Sequence, residues 1–300
     1  MKNAADVHPE RGRARWALGL VLLLTVSAGC STRKLAITTM IPIMGDAMAE
    51  AYASGDIELA REAIPGELLL LRGMCRADSS RLETWTATVQ LYASYALAFV
   101  ESADPTRAAR LYEEGMRLGL GFLERADWFA GAWDEGPDQL REAIARRQPR
   151  ELAPLFMWTS TCLGKHIFFN LDRPRVVADL PFAHVLADAA VELEGDYFHG
   201  MPYMVKAVML SLTPPMLGGD PEQATALYRR AVELTGGHFL YHHVLYARYT
   251  CTATLDEDRF RTVLEQVLER PVDGLPEARL MNLLAHQEAA VLLEETEDMF

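Results

Sequence analysis

Apolar side chains recur every three or four residues along most of this chain, and no stretch alternates for long with period two. One such stripe consists of Leu82, Trp85, Val89, Tyr92, Ala96 and Phe99. A second stripe near the C-terminus consists of Leu280, Leu283, Leu284, Gln287 and Val291. Because residues three and four apart share one face of a helix, this pattern predicts an all-α protein.

Proline and glycine pairs interrupt these stripes and predict where helices start and stop. They stand at Pro65-Gly66, Gly136-Pro137, Pro214-Pro215, Gly218-Gly219, Gly236-Gly237 and between Pro271 and Pro276. Counting the segments between them, we expect about a dozen helices joined by mostly short turns.

Two segments of the chain match each other: DPTRAARLYEEGMRL from Asp104 and DPEQATALYRRAVEL from Asp220. In both, an aspartate can cap the helix by accepting a backbone N–H, and a proline follows in the first turn, where its missing N–H costs nothing. Weaker copies begin at Asp56 and Asp256. The repetition predicts helices built on one common plan.

The spacing of Ala224, Tyr228 and Ala231 is the small-large-small pattern of the second helix of a tetratricopeptide (TPR) repeat. Gly115 takes the place of Ala231 in the first copy. The two copies lie much further apart than the roughly 34 residues of a regular TPR array, so the repeats are diverged and interrupted. We therefore expect a TPR-like helical-repeat solenoid.

The N-terminus has the three-part layout of a secretory signal, with Arg11, Arg13 and Arg15 before the apolar run 16–26 and the small residues Ser27-Ala28-Gly29 before Cys30. That run is too short to cross a bilayer. VSAGC resembles the lipobox of bacterial lipoproteins, although Ser27 replaces its usual leucine. An ordinary secretory signal with an incidental cysteine is the alternative.

The lipobox resemblance implies a signal peptide over residues 1–29 and acylation of Cys30. From the repeats, we expect residues 30–300 to form a single TPR-like domain. Ser31 follows the cysteine where an aspartate would favour the inner membrane, so the outer membrane is expected. The remaining cysteines, Cys75, Cys162 and Cys251, are widely spaced. We interpret them as buried free thiols, the alternative being one disulfide and one leftover thiol.

The chain is acidic, with a formal net charge of −13, and is therefore a poor candidate for binding nucleic acid. His238 and His242 are four residues apart with His243 adjacent, but no cysteine or carboxylate stands nearby at ligand spacing, so no metal is predicted. The histidine pair 242–243 is expected on a polar face or an oligomer contact. No nucleophile elbow or phosphate loop is present, so neither a cofactor nor an enzyme activity is expected.

Aromatic side chains at helical spacing are the candidates for contact with a ligand. They could line a concave groove or tunnel, although packing between helices is the more common role of such residues. The predicted ligand-binding residues are Trp85, Tyr92, Tyr95, Trp158 and Tyr203.

Three blocks of sequence, together with the lipobox, resemble the TRAP transporter T-component (TatT) lipoproteins, which accompany tripartite ATP-independent periplasmic transporters. The first block comprises GDIELAREAIPGELLLL from Gly55 and RLETWTATVQLYASYALAFVE from Arg81. The others are LGGDPEQATALYRRAVELTGG from Leu217 and LMNLLAHQEAAVLLEETEDMF from Leu280. The middle of the chain, residues 128–173, departs most from the family, since Trp158 and Lys165 match its tryptophans only loosely.

The resemblance implies a TPR-like homotrimer that binds the periplasmic solute receptor of the transporter, its P-component. It also implies a tunnel through each protomer for a small hydrophobic or carboxylate ligand. The function predicted is therefore that of a non-enzymatic periplasmic accessory lipoprotein. The alternative is a TPR-type scaffold in envelope assembly with no role in transport.

Overall fold

The computed structural model describes residues 34–300, which fold as helices without any β-strand. This part of the chain confirms the all-α class. Cys30 and the expected signal peptide lie outside the described residues. The first eight helices are α1 (34–53), α2 (Ile57–Ala77), α3 (Leu82–Tyr95), α4 (Pro105–Leu123), α5 (Asp127–Glu135), α6 (Pro137–Arg147), α7 (Ala153–Phe168) and α8 (Pro174–Val177). The others are α9 (Leu180–Glu194), α10 (Tyr197–Leu212), α11 (Pro221–Thr235), α12 (Tyr241–Leu245), α13 (Glu257–Glu269), α14 (Arg279–Glu294) and α15 (Thr296–Met299).

Two helices continue into a turn of π-helix, which inserts one extra residue into the helical register. Helix α3 runs on through Ala96–Val100, and α12 runs on through Tyr246–Cys251. Such turns are rare and often occur at functional sites.

All four aspartates of the repeated motif cap a helix, which confirms the prediction for Asp104 and Asp220. Asp104 accepts a hydrogen bond from the backbone N–H of Arg107 at 2.9 Å, and Asp220 accepts one from Gln223 at 2.9 Å. The weaker copies behave alike, since the side chains of Asp56 and Asp256 also accept from the backbone N–H three residues further on. Each cap satisfies one of the backbone donors that a helix start leaves free.

The prediction that Pro65-Gly66 interrupts the helix was wrong, because α2 runs through both residues. A proline inside a helix removes one backbone hydrogen bond and costs about 3 kcal/mol. Here the buried side of α2 continues across it, with Ala60 before the proline and Leu68 and Leu71 after it. Burial of this continuous apolar face offsets the local cost.

The helices pack mainly against near neighbours in the chain. Contacts join α2 to α3, α3 to α4, α4 to α7, α7 to α9, α9 to α10, and α10 to α11. Near the C-terminus α13 packs on α14, and α14 returns to contact α2. The two ends of the described chain therefore meet, and helices α3, α7, α10, α12 and α14 come to surround one interior cavity.

Helices α4 and α7 approach closely because α4 carries glycine on the side that faces α7. A Cβ atom at Gly115 would lie 2.6 Å from Cys162 Sγ, and one at Gly119 would collide with Thr159. This close contact explains why the first copy of the motif has glycine at position 115, where the second copy has alanine.

Cys75, Cys162 and Cys251 are buried free thiols, as predicted. Cys162 of α7 packs against Gly115 of α4, and burial raises the pKa of its thiol far above the usual range. Within residues 34–300, no helix has the length and apolar character needed to cross a membrane.

Candidate ligand cavity

The interior cavity has a volume of about 310 Å³ and an almost wholly apolar wall. This volume is at the lower end of the range of small-molecule sites. Side chains from α1, α2, α3, α7, α10, α12 and α14 line it. Among them are Leu97, Phe99, Met201, Met204, Leu245 and Leu284.

At one end the cavity reaches the protein surface. Its wall there includes Phe168, Leu171, Leu212 and Leu217, which are all exposed. Leu171 has 65% of its surface open to solvent. An apolar molecule could enter from solvent between these side chains.

Aromatic rings form another part of the wall. The ring of Phe198 lies 5.6 Å from that of Trp158 and 5.4 Å from that of Tyr52, both edge-to-face. The indole N–H of Trp158 donates to the Tyr197 hydroxyl at 3.2 Å. Since its polar atom is bonded to the protein, Trp158 offers the cavity only apolar ring surface.

The backbone that carries Phe198 is strained. Phe198, His199 and Gly200 have φ values of 45°, 62° and 84°, which lie in the left-handed region. For residues other than glycine this conformation costs about 1–2 kcal/mol each. The ring of Phe198 is held against the cavity by aromatic neighbours on several sides, and this packing maintains the strained segment.

The main charged group on the wall is Lys165 of α7, which is buried. Its ammonium donates to the carboxylate of Glu101 at 2.7 Å and to the hydroxyl of Tyr249 at 2.6 Å. A buried charge needs such partners, because removing it from water without them costs several kcal/mol.

A network of paired charges extends from Lys165 away from the cavity. Glu101 also accepts from the Tyr112 hydroxyl at 2.6 Å and lies 3.6 Å from the guanidinium of Arg248. Arg248 in turn forms an ion pair of 2.7 Å with Glu288. Two cations and two carboxylates thus alternate, and the network has no net charge.

The pKa directions agree with this pairing. Burial alone would raise the pKa of Glu101, but Lys165, Tyr112 and Arg248 outweigh it and the pKa is lowered. Burial would also lower the pKa of Lys165, whereas its contacts with Tyr249 and Glu101 raise it. Both groups are therefore charged at neutral pH.

The π-turns help to bring these residues together. Glu101 follows the π-turn of α3 directly, and Arg248 and Tyr249 lie within the π-turn of α12. Lys165 comes from α7 and Glu288 from α14. The network therefore ties together four of the elements around the cavity.

Of the five aromatic residues predicted to contact a ligand, Trp158 lines the cavity. Trp85 packs on Phe122 and donates to the carbonyl of Ser79. The Tyr92 hydroxyl accepts from Arg72, and the Tyr95 ring lies between Phe99 and Arg107. The Tyr203 hydroxyl lies against Gly195. These four are not among the residues that line the cavity, and their ligand roles stay predictions.

The histidine pair lies in the interior, so the expectation of a polar face or an oligomer contact was wrong. His243 bonds the Tyr228 hydroxyl through Nδ1 at 2.6 Å, whereas His242 is fully buried and neither of its ring nitrogens has a hydrogen-bond partner among the described residues. The apolar surroundings of α12 bury both rings. Over residues 34–300 no group of three or more potential ligands could hold a metal ion.

Lys165 and Glu101 were not among the candidate residues predicted from the sequence. A signal was available for Lys165, because it is the one basic residue before His166 in the otherwise uncharged segment APLFMWTSTCLGK of α7. A lysine in an apolar helix requires a buried partner. Nothing in the sequence identifies Glu101, 64 residues away, as that partner.

A comparison with protein families finds that the model of the TRAP transporter T-component (TAtT) family matches residues 53–300. The match covers most of the chain, including every helix from α2 onward. A search of curated proteins finds no match to this chain.

Proposed function

Because this chain belongs to the TRAP transporter T-component family, we propose that it is a non-enzymatic periplasmic accessory protein that binds the transporter's solute receptor and holds a small apolar ligand. Family membership makes it an accessory component of such a transporter. Receptor binding and ligand binding are the proposed means by which it acts.

The observation that carries the ligand proposal is the cavity itself. It is enclosed by helices from both ends of the described chain, it reaches the surface at Leu171, and its wall is apolar except at a few points. The charged groups beside it, Lys165 and Glu101, are engaged with each other. Such a wall suits holding a molecule by burial of apolar surface, without chemical change.

We also propose a TPR-like arrangement of the helices. Three features support it: capped helices on a common plan at Asp104 and Asp220, packing between chain neighbours, and close helix contacts at small residues such as Gly115. A crystal structure compared with regular TPR arrays will test this arrangement. Helix pairs that do not stack in one consistent direction would contradict it.

Acylation of Cys30 and attachment to the outer membrane are part of the proposal. The first rests on the VSAGC sequence and the second on Ser31. Labelled palmitate should be incorporated into the full chain and not into the Cys30→Ala variant. The labelled chain should fractionate with outer-membrane markers. Label that persists in the variant would refute the assignment of Cys30.

The receptor interaction is tested with the solute-binding receptor of a TRAP transporter from the same genome. We expect the two proteins to co-purify, and the chain alone to sediment at three times its monomer mass, as a homotrimer. A solute receptor of an unrelated transporter type is the control. Equal recovery of both receptors, or of neither, would contradict a specific role in transport and favour an envelope scaffold.

A further inference from the structure

Lys165 has a hydrogen-bond donor to spare at the cavity wall. An ammonium group carries three N–H donors, and the described residues accept two of them, through Glu101 and Tyr249. Because Lys165 and the Tyr249 to which its ammonium donates both line the cavity, an oxygen atom of a bound molecule placed between them can accept the third. The cavity therefore offers a polar contact on a wall that otherwise favours apolar surface.

The charge of Lys165 is nevertheless already balanced. Glu101 compensates Lys165, and Arg248 and Glu288 compensate each other. A ligand carboxylate placed beside Lys165 would add a buried negative charge with no unpaired cation to meet it, which costs several kcal/mol.

A second carboxylate makes the wall still less favourable to an anion. Glu67 lines the cavity on the side of Tyr52, and within residues 34–300 no basic group lies within ion-pair distance of it. Burial raises the pKa of Glu67. Among the described residues, the wall has one acidic side chain, Glu67, and one basic side chain, Lys165, which is already paired with Glu101. The wall therefore offers no unpaired cation to an anionic ligand.

We infer that the cavity selects an apolar ligand with a single uncharged head, such as an alcohol, an ester or an amide, and that Lys165 donates a hydrogen bond to this head. The inference rests on the proposed function, that the cavity holds a ligand. It narrows the ligand class from hydrophobic or carboxylate molecules to neutral amphiphiles.

The test compares three probes that share one apolar chain: decanol, decanoate and decylamine. Binding to the purified full chain is followed by calorimetry and by tryptophan fluorescence, to which Trp158 of the cavity wall contributes. At about pH 8 decanol should bind at least about tenfold more tightly than decanoate. The affinity for decanoate should rise about tenfold for each pH unit as the pH is lowered toward the pKa of decanoate, since only the neutral acid enters the cavity. The affinity for decanol should not depend on pH.

Three variants, one of them a control, test whether the head group binds at Lys165. Lys165→Met should weaken decanol binding by about tenfold, because it removes a charged donor. Lys206→Met is the matched control, since Lys206 pairs with Asp188 at 2.6 Å outside the cavity wall, and it should leave binding unchanged. Glu101→Gln leaves the network with one excess positive charge and should strengthen decanoate binding at about pH 8 by about tenfold. Should a variant not fold, the pH profiles of the natural chain decide.

Other outcomes would overturn the inference. Decanoate that binds as tightly as decanol at about pH 8 would show that the wall accepts an anion. Decylamine that binds most tightly, with binding lost in Glu67→Gln, would place the head at Glu67. Both results would leave the proposed apolar site intact, whereas binding by none of the three probes would remove the ligand site as well.

Discussion

His242 is a buried imidazole without a hydrogen-bond partner for either nitrogen among the described residues. Burial, with His243 and His199 nearby, keeps its pKa well below the usual range. Below about pH 6.5 the unfolded chain binds a proton that the folded chain refuses, so the free energy of unfolding falls by up to about 1.4 kcal/mol per pH unit. We expect this loss in denaturant titrations from about pH 7 downward, and a smaller loss in His242→Leu.

His243 provides the matched comparison, because it is also buried but is hydrogen-bonded. Burial lowers its pKa to about 4, while its ring bonds the Tyr228 hydroxyl and the carbonyl of Gly237. At about pH 8, His243→Leu should lower the free energy of unfolding by about 1–3 kcal/mol, since it leaves the Tyr228 hydroxyl without this partner, while the Gly237 carbonyl keeps only the hydrogen bond from Arg270. His242→Leu should change it little or raise it. Equal losses would mean that His242 has a partner in solution.

At the scale of the helix, glycine has opposite effects at two positions of α4. Gly115→Ala places a Cβ atom 2.6 Å from Cys162 Sγ and 3.1 Å from the Cβ of Tyr92. It should lower the free energy of unfolding by about 1–3 kcal/mol, because α4 must move away from α7. Gly121→Ala on the same helix meets no atom within 4 Å and should raise it by about 0.5–1 kcal/mol. Urea unfolding of both variants measures the difference.

A second prediction at the scale of the helix concerns Pro65, the proline inside α2. Pro65→Ala restores a backbone donor in mid-helix and should raise the free energy of unfolding by up to about 3 kcal/mol. The control is Pro221→Ala, because Pro221 stands in the first turn of α11, where a proline removes no hydrogen bond. That variant should be almost neutral. A loss of stability in Pro65→Ala would show that the half-buried proline ring contributes more by packing than it costs in the backbone.

The ends of helices could be predicted from the sequence because their causes are local. Asp104 and Asp220 cap their own helices through an amide three residues away. The two π-turns could not be predicted, since the apolar stripe of α3 continues through Ala96 without a break. Glu101, directly after this turn, contacts Lys165 and Arg248 of distant helices, and a local sequence pattern does not show such contacts.

At the scale of the molecule, the sequence could not show which of the predicted aromatic residues line the cavity. Trp85 and Trp158 both lie on apolar helix faces, and periodicity cannot say which face meets another helix and which meets a cavity. That difference depends on how α3, α7, α10, α12 and α14 enclose space, including the contact of α14 with α2. The family resemblance implied a tunnel but no residue of its wall.

Ligand binding should stabilise the molecule as a whole, because one cavity joins helices from both ends of the described chain. A ligand present at about 100 times its dissociation constant adds about 2.7 kcal/mol to the free energy of unfolding. For a chain of this size the midpoint of thermal unfolding, Tm, should rise by about 5–10 °C. Thermal unfolding with and without decanol measures this shift.

A variant that fills the cavity tests whether the rise in Tm with decanol depends on binding there. Gly164 lines the wall, and a Cβ atom there would meet only Met209, at an ordinary 3.9 Å, so Gly164→Leu can direct its side chain into the space without displacing a helix. The variant should fold, keep the Tm of the empty natural chain or exceed it, and lose the response to decanol. Gly131→Leu, on an exposed side of α5, is the control and should retain the full response. Equal responses in both variants would place the stabilising ligand somewhere other than this cavity.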